Sequence, residues 1–232
     1  MSGPLPWLFI GLMIWGKASA HPWSTLRDTL ISRMHRQGIS AIGFPPVVVD
    51  ADLPANARYE RDTIWVGHLQ AAYRSRADSL SILYHEWQHV LQEREGRYRL
   101  CLDSLGQVPQ WQTDEWYDYL PDSLELAGEF AAATRNSWWE KMDALQQQQE
   151  KERLWRDLQQ PRRILFVYAP SVLAEAEIEA YQRQLAGEAL HLYQLSPAAR
   201  QSVLRRLRQL KDTLVRRQAY ERTHDLAADG CR

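Results

Sequence analysis

The chain has 232 residues, 45% hydrophobic and 25% charged, with a formal net charge of −1. That is the profile of an ordinary globular protein of one domain. It lacks the basic excess of nucleic-acid-binding proteins, so no nucleic-acid partner is expected.

In chain order, an apolar run from Leu5 to Gly16 precedes Lys17 and Ala18-Ser19-Ala20. This reads as a signal peptide over residues 1–20 ending in a small-residue cleavage site. The run is shorter than the ~20 residues a membrane-spanning helix needs. The expectation is an exported protein, periplasmic or secreted, whose mature chain begins at His21 and forms one domain over 21–232. Cys101 and Cys231 are the only cysteines. In an oxidising compartment they can pair; two free buried thiols is the alternative.

Leu26, Leu30, Ile31 and Met34 have helical spacing, which predicts a helix from Ser24 to about Gln37 stopped by Gly38. Val47-Val48-Val49 and Thr63-Ile64-Trp65-Val66 are strand candidates, with a loop containing Pro54, Asn56 and Arg58 between them. Asp78 or Ser79 can cap a helix that runs to about Arg94, with Gly96 beyond its end. After a stretch rich in Trp and Tyr (Trp111, Trp116, Tyr117, Tyr119), a long helix is expected from about Ser123 to Gln159. Ile164 to Tyr168 is a strand or a buried turn. Pro170-Ser171 and Ser196-Pro197 open the last two helices. The final helix carries Val203, Leu207, Leu210 and Leu214 on one stripe and many arginines elsewhere. A basic amphipathic helix can lie on a membrane, but a charged outer face over a core-facing stripe is the simpler reading, and membrane association is not expected. The fold class is therefore α+β and predominantly helical, with a small sheet. Nothing in the sequence sets an oligomeric state.

The chemistry is concentrated in His85-Glu86-Trp87-Gln88-His89. On a helix, positions i and i+4 stand one above the other, so both imidazoles can reach one Zn²⁺. Glu86 is rotated about 100° from His85 and can face a metal-activated water as general base without being a ligand. Leu80, Leu83, Tyr84, Trp87, Val90 and Leu91 fall on the opposite arc, giving the helix an apolar back.

A catalytic zinc site has three protein ligands and one open position. The helix around Ala174–Tyr181 offers Glu175, Glu177 and Glu179. Glu177 lies closest to its apolar stripe of Ala174, Ile178, Tyr181 and Leu185, so it is the best placed to point inward. Glu125 and Glu129 are rival sources. His68 and His191 are isolated, and His35 and His224 have no chemistry-bearing neighbours in the sequence.

The motif His85-Glu86-Trp87-Gln88-His89, taken with Glu177-Ile178-Glu179-Ala180-Tyr181, resembles the zincin metallopeptidases of the gluzincin type. Their third ligand is a Glu on a later helix, often with Ala three residues on, as Ala180 is here. The resemblance implies metal ligands His85, His89 and Glu177, a Zn²⁺ cofactor, and Glu86 as catalytic base in peptide-bond hydrolysis. It also implies a sheet packed on the active-site helix, with an edge strand that aligns a peptide or protein substrate. Ile64-Trp65-Val66 is the candidate for that strand. Two features depart from relatives. A long gap separates His89 from Glu177, which makes residues 119–168 an inserted helical layer. Tyr181 stands where an Asp often supports a ligand His. The competing expectation is a non-catalytic exported helical protein serving as an envelope binding module.

Overall fold

A computed structural model describes residues 23–50, 52–53, 55–67, 75–102, 106–121, 126, 129–130, 133–134 and 139–229. The expected signal peptide, His21, His68, Glu125 and Cys231 lie outside these residues. The described fold is predominantly helical α+β, with a three-stranded and a two-stranded sheet. The chain forms two compact units, one of residues 1–99 with 172–216 and one of residues 100–171 with 217–232.

In the first unit, helix α1 (Trp23–Arg36) buries Leu26, Leu30 and Met34, one per turn. Gly38 ends it with φ +69, a left-handed conformation glycine adopts without strain. Strands β1 (Val47–Val49), β2 (Ala57–Glu60) and β3 (Thr63–Val66) form a sheet of order β1-β3-β2. The β1 pairing is parallel and the β2 pairing antiparallel. β2 falls in the stretch expected to be a loop. Arg61 and Asp62 join it to β3 with φ of 49° and 56°. Two left-handed residues make the tight hairpin turn that matches strand twist. Such turns usually carry Asn-Gly or Asp-Gly, so Arg-Asp left no signal.

Helix α2 (Arg76–Arg94) is the centre of this unit. Its N-cap is Ser75, whose Oγ accepts from the Asp78 N–H at 3.0 Å. The helix therefore starts three residues before the expected Asp78. Asp78 instead accepts from the Ser75 hydroxyl at 2.6 Å and, through its other oxygen, from the Ser196 N–H at 2.8 Å. One buried carboxylate thus ties the start of α2 to the start of the last helix. Ile64 and Val66 of β3 pack with Leu80, Leu83, Trp87 and Val90 of α2 in the core. Phe44 stacks on Trp87 at 4.9 Å, and Arg94 lies over the same indole. Residues 172–189 of helix α4 (Ser171–Ala189) and 197–216 of helix α5 (Pro197–His224) supply the remaining walls, with Val203, Leu207 and Leu210 buried as the stripe on α5 requires.

In the second unit, β4 (Trp111–Tyr119) pairs antiparallel with β5 (Arg162–Tyr168). A register shift lies between Gln112 and Trp116. Buried Thr113 secures that irregularity by donating to the Phe166 carbonyl and accepting from the Glu115 N–H, both at 3.1 Å. Tyr168 and Phe166 pack with Tyr220. Helix α3 (Ala144–Leu158) begins at a capping box between Asp143 and Gln146. Of the helix expected from Ser123 to Gln159, Leu126, Glu129, Phe130 and Ala133 are helical, and a turn at Thr134 and a 3₁₀ turn (Trp139–Lys141) interrupt it before the cap. Nor is 119–168 a purely helical layer, since β5 lies within it. Cys101 is disulfide-bonded, and its N–H donates to the Asp229 carbonyl at 2.9 Å. None of the described helices is long and apolar enough to cross a membrane.

Candidate metal centre

The two histidines project from the middle of α2, one turn apart, with Nε2 atoms 3.3 Å from each other. Helix α4 brings Glu177 against both. Glu177 Oε2 lies 3.5 Å from His85 Nε2, and Oε1 lies 3.4 Å from His89 Nε2. His85, His89 and Glu177 therefore form a cluster that could hold a metal ion. Two of the other candidate acids are engaged elsewhere. Glu179 pairs with Arg97 at 2.6 Å, and Glu129, in the second unit, pairs with Arg162. Glu175 is not in the cluster, and Glu125 lies outside the described residues.

Glu86 is almost fully buried. Its Oε2 accepts the Tyr59 backbone N–H of β2 at 2.9 Å. Burial pushes its carboxyl pKa upward, opposed by electrostatic attraction to the neighbouring imidazoles and by the Tyr59 N–H bond. Burial also works against charge on His89. The Glu177 hydrogen bond, the negative Glu86 and Glu177, and Gln92 outweigh it, raising the His89 pKa to about 9. Glu177 shows the mirror effect: burial pushes it up, but bonds from both histidines carry it well below the usual carboxylate range. Without a cation, the site is held together by a charged imidazole and a carboxylate. A cation bound by neutral imidazoles would take over the role of that proton.

Sequence reasoning missed Gln92. Its Oε1 lies 2.9 Å from His89 Nδ1, and its Nε2 donates to the Ala176 carbonyl and to Glu179. The signal available was its position, one turn beyond His89 on the same face. Tyr181 meets His85 through its ring, with centroids 4.3 Å apart. His85 Nδ1 is buried and has no hydrogen-bond partner among the described residues. His191, with φ +54, lines a separate surface cavity of about 500 Å³ with Arg33 and Arg36. His224 stacks on Tyr220.

The strand expected to form the substrate edge is corrected. β3 lies in the middle of the sheet and is paired on both sides. Its buried Ile64 and Val66 suit a central strand. The backbone of Ile64 and Val66 bonds toward β1, through Ile64 N–H to Pro46 and Asp50 N–H to Val66. Opposite them on β2, Ala57 and Tyr59 are therefore non-bonded pairs whose backbone groups face away from β3. Among the described residues, the sheet edge beside Glu86 that no strand pairs belongs to β2, whose Tyr59 N–H is taken by Glu86.

No family model, curated protein or solved structure matches the chain.

Proposed function

We propose that the protein is an exported zinc metallopeptidase with His85, His89 and Glu177 as metal ligands and Glu86 as the base. The observation that carries this reading is that His85, His89 and Glu177 bring one ligand atom each within 4.8 Å of one another, with the two imidazole Nε2 atoms 3.3 Å apart. Bonds of about 2.0–2.1 Å at tetrahedral angles separate ligand atoms by roughly 3.3–3.4 Å. Two imidazole nitrogens and one carboxylate suit zinc and leave one position open. The fit extends to His89, whose Nε2 faces the other two ligand atoms while Nδ1 is engaged by Gln92.

Zinc bound there would supply Lewis acidity, acidifying a water and polarising a carbonyl. The chain's own residues do the rest. Glu86, adjacent to but outside the ligand set, takes the proton of the attacking water and delivers it to the leaving amine. The Tyr59 N–H holds one carboxylate oxygen, which fixes the orientation of the acid. The free edge of β2 runs beside that acid, and an extended peptide can add to it by main-chain pairing. Export is supported by the N-terminal 20 residues and by the Cys101 disulfide, a bond of oxidising compartments.

The test measures zinc content and cleavage of a broad peptide library by wild type and Glu86→Gln. The expected result is one zinc in each, with activity lower in the variant by about 10²–10⁴-fold. Equal activity would sink the mechanism. Absence of zinc after metal-replete refolding would favour a non-catalytic binding protein.

A further inference from the structure

We propose that Gln92 is the positioning residue of the metal centre, fixing the tautomer of His89 and anchoring the helix segment that carries Glu177. The inference rests on the metal-binding reading of His85, His89 and Glu177. Gln92 is 4% exposed, so its amide cannot exchange partners with bulk water freely. The orientation of a buried amide follows from its neighbours. Here Nε2 is 3.0 Å from the Ala176 carbonyl and 3.2 Å from Glu179 Oε2. Both of those atoms only accept, so the NH₂ group must face them. Reversing the amide would set its carbonyl oxygen against two acceptors.

Oε1 is then turned toward His89 Nδ1 at 2.9 Å and can only accept. Nδ1 must carry the proton. In a neutral ring the lone pair is left on Nε2, the atom that faces His85 and Glu177. The amide thus selects the tautomer that coordination needs. Its other end does a second job. Ala176 directly precedes Glu177, so the bond to its carbonyl anchors α4 to α2 immediately beside the third ligand. Glu179 is itself held by Arg97 at 2.6 Å, which keeps an acceptor in place on the NH₂ side. His85 has no such support, because its buried Nδ1 lacks a partner among the described residues.

The test uses the full chain and measures zinc affinity by competition with a chromophoric chelator, with hydrogen exchange of the α4 amides as a second readout. Gln92→Met keeps length and removes all three bonds. It should bind zinc about 10–100-fold more weakly with unchanged circular dichroism. It should also exchange the 177–180 amides faster. The double variant Gln92→Glu with Glu179→Gln exchanges donor and acceptor between the two positions. It restores an acceptor for His89 Nδ1 but leaves the Ala176 carbonyl without its donor, so it should recover the affinity lost through the tautomer while the 177–180 amides still exchange faster than in wild type. Wild-type affinity in Gln92→Met overturns the proposal, as does a double variant about 100-fold weaker than wild type. The double variant decides the matter if Gln92→Met does not fold. A wild type that binds no zinc would instead overturn the metal reading. In that case unchanged α4 exchange in Gln92→Met overturns the anchoring role separately.

Discussion

The backbone N–H of Tyr59 reaches Glu86 Oε2 at 2.9 Å, joining an end strand of the three-stranded sheet to the acid between the two histidines. A backbone donor cannot rotate away as a side chain can, so the strand sets the direction of that carboxylate. The same strand turns the backbone groups of Ala57 outward. A substrate paired along this edge would be held in register with Glu86.

Ala57→Pro tests that edge. The Ala57 N–H faces away from β3, so its loss removes no ladder bond. The variant should fold and bind zinc as wild type does, while kcat/KM for extended peptides falls about 5–12-fold, one main-chain hydrogen bond being worth about 1–1.5 kcal/mol. Unchanged peptide kinetics would show that substrate does not pair with β2.

Replacement of the candidate acids one at a time identifies the third ligand. Glu177→Gln should lose zinc affinity by at least tenfold, because a neutral amide oxygen is a poorer ligand than a carboxylate. Glu175→Gln should bind as wild type does. The measurement is chelator competition, and equal losses in both variants would remove Glu177 from its role.

The metal-free protein should depend on pH through His89 and Glu177. His89 is raised from 6.5 to about 9, so its contribution is complete below pH 6.5 and is lost as pH rises through 9. Glu177 is depressed from 4.5, so its contribution is complete above pH 4.5 and is lost on acidification toward its folded value. These are two views of one ion pair. The pair therefore stabilises the chain fully only between pH 4.5 and 6.5. Scanning calorimetry of EDTA-treated protein should show the melting temperature falling as pH rises toward 9. Zinc requires neutral His89, so binding at pH 7 should release a proton, and affinity should rise about tenfold per pH unit toward 9. Calorimetric titration in buffers of different ionisation enthalpy reads that proton directly, and no release would contradict the charged pair.

Gly187→Ala tests the packing behind α2. A methyl group at Gly187 would come 2.6 Å from Tyr193 Cζ. Tyr193 cannot retreat, since it is buried against Tyr84 and donates to the Gln184 carbonyl at 2.7 Å. Overpacking outweighs the helix propensity gained, for a net loss of about 1 kcal/mol. The melting temperature should drop by about 2–4 °C; a rise would mean the tyrosine yields.

What could be read from the sequence was whatever one element expresses by itself. The i, i+4 histidines, the apolar arc of Leu80, Leu83, Trp87 and Val90, and the one-per-turn leucines of α1 all follow from the 3.6-residue period. Glu177 was singled out over Glu175 and Glu179 because its place relative to the stripe on its own helix is also a local property. Contacts between distant segments had no such trace. β2 has polar Arg58 and Glu60 and a turn without glycine, so only its pairing with β3 reveals it as a strand. The order β1-β3-β2 moved the free edge from Ile64-Trp65-Val66 to Ala57–Glu60, because both sides of a strand are seen only when its neighbours are in place. Gln92 is likewise an ordinary polar helix residue until Ala176 and Glu179 arrive from a helix more than 80 positions away. The sequence by itself determined that His85, Glu86 and His89 share one helix face. Only the tertiary structure brought the edge of β2, the Glu177 carboxylate and the Gln92 amide against that face, since those approaches depend on packing between helices and strands far apart in the chain.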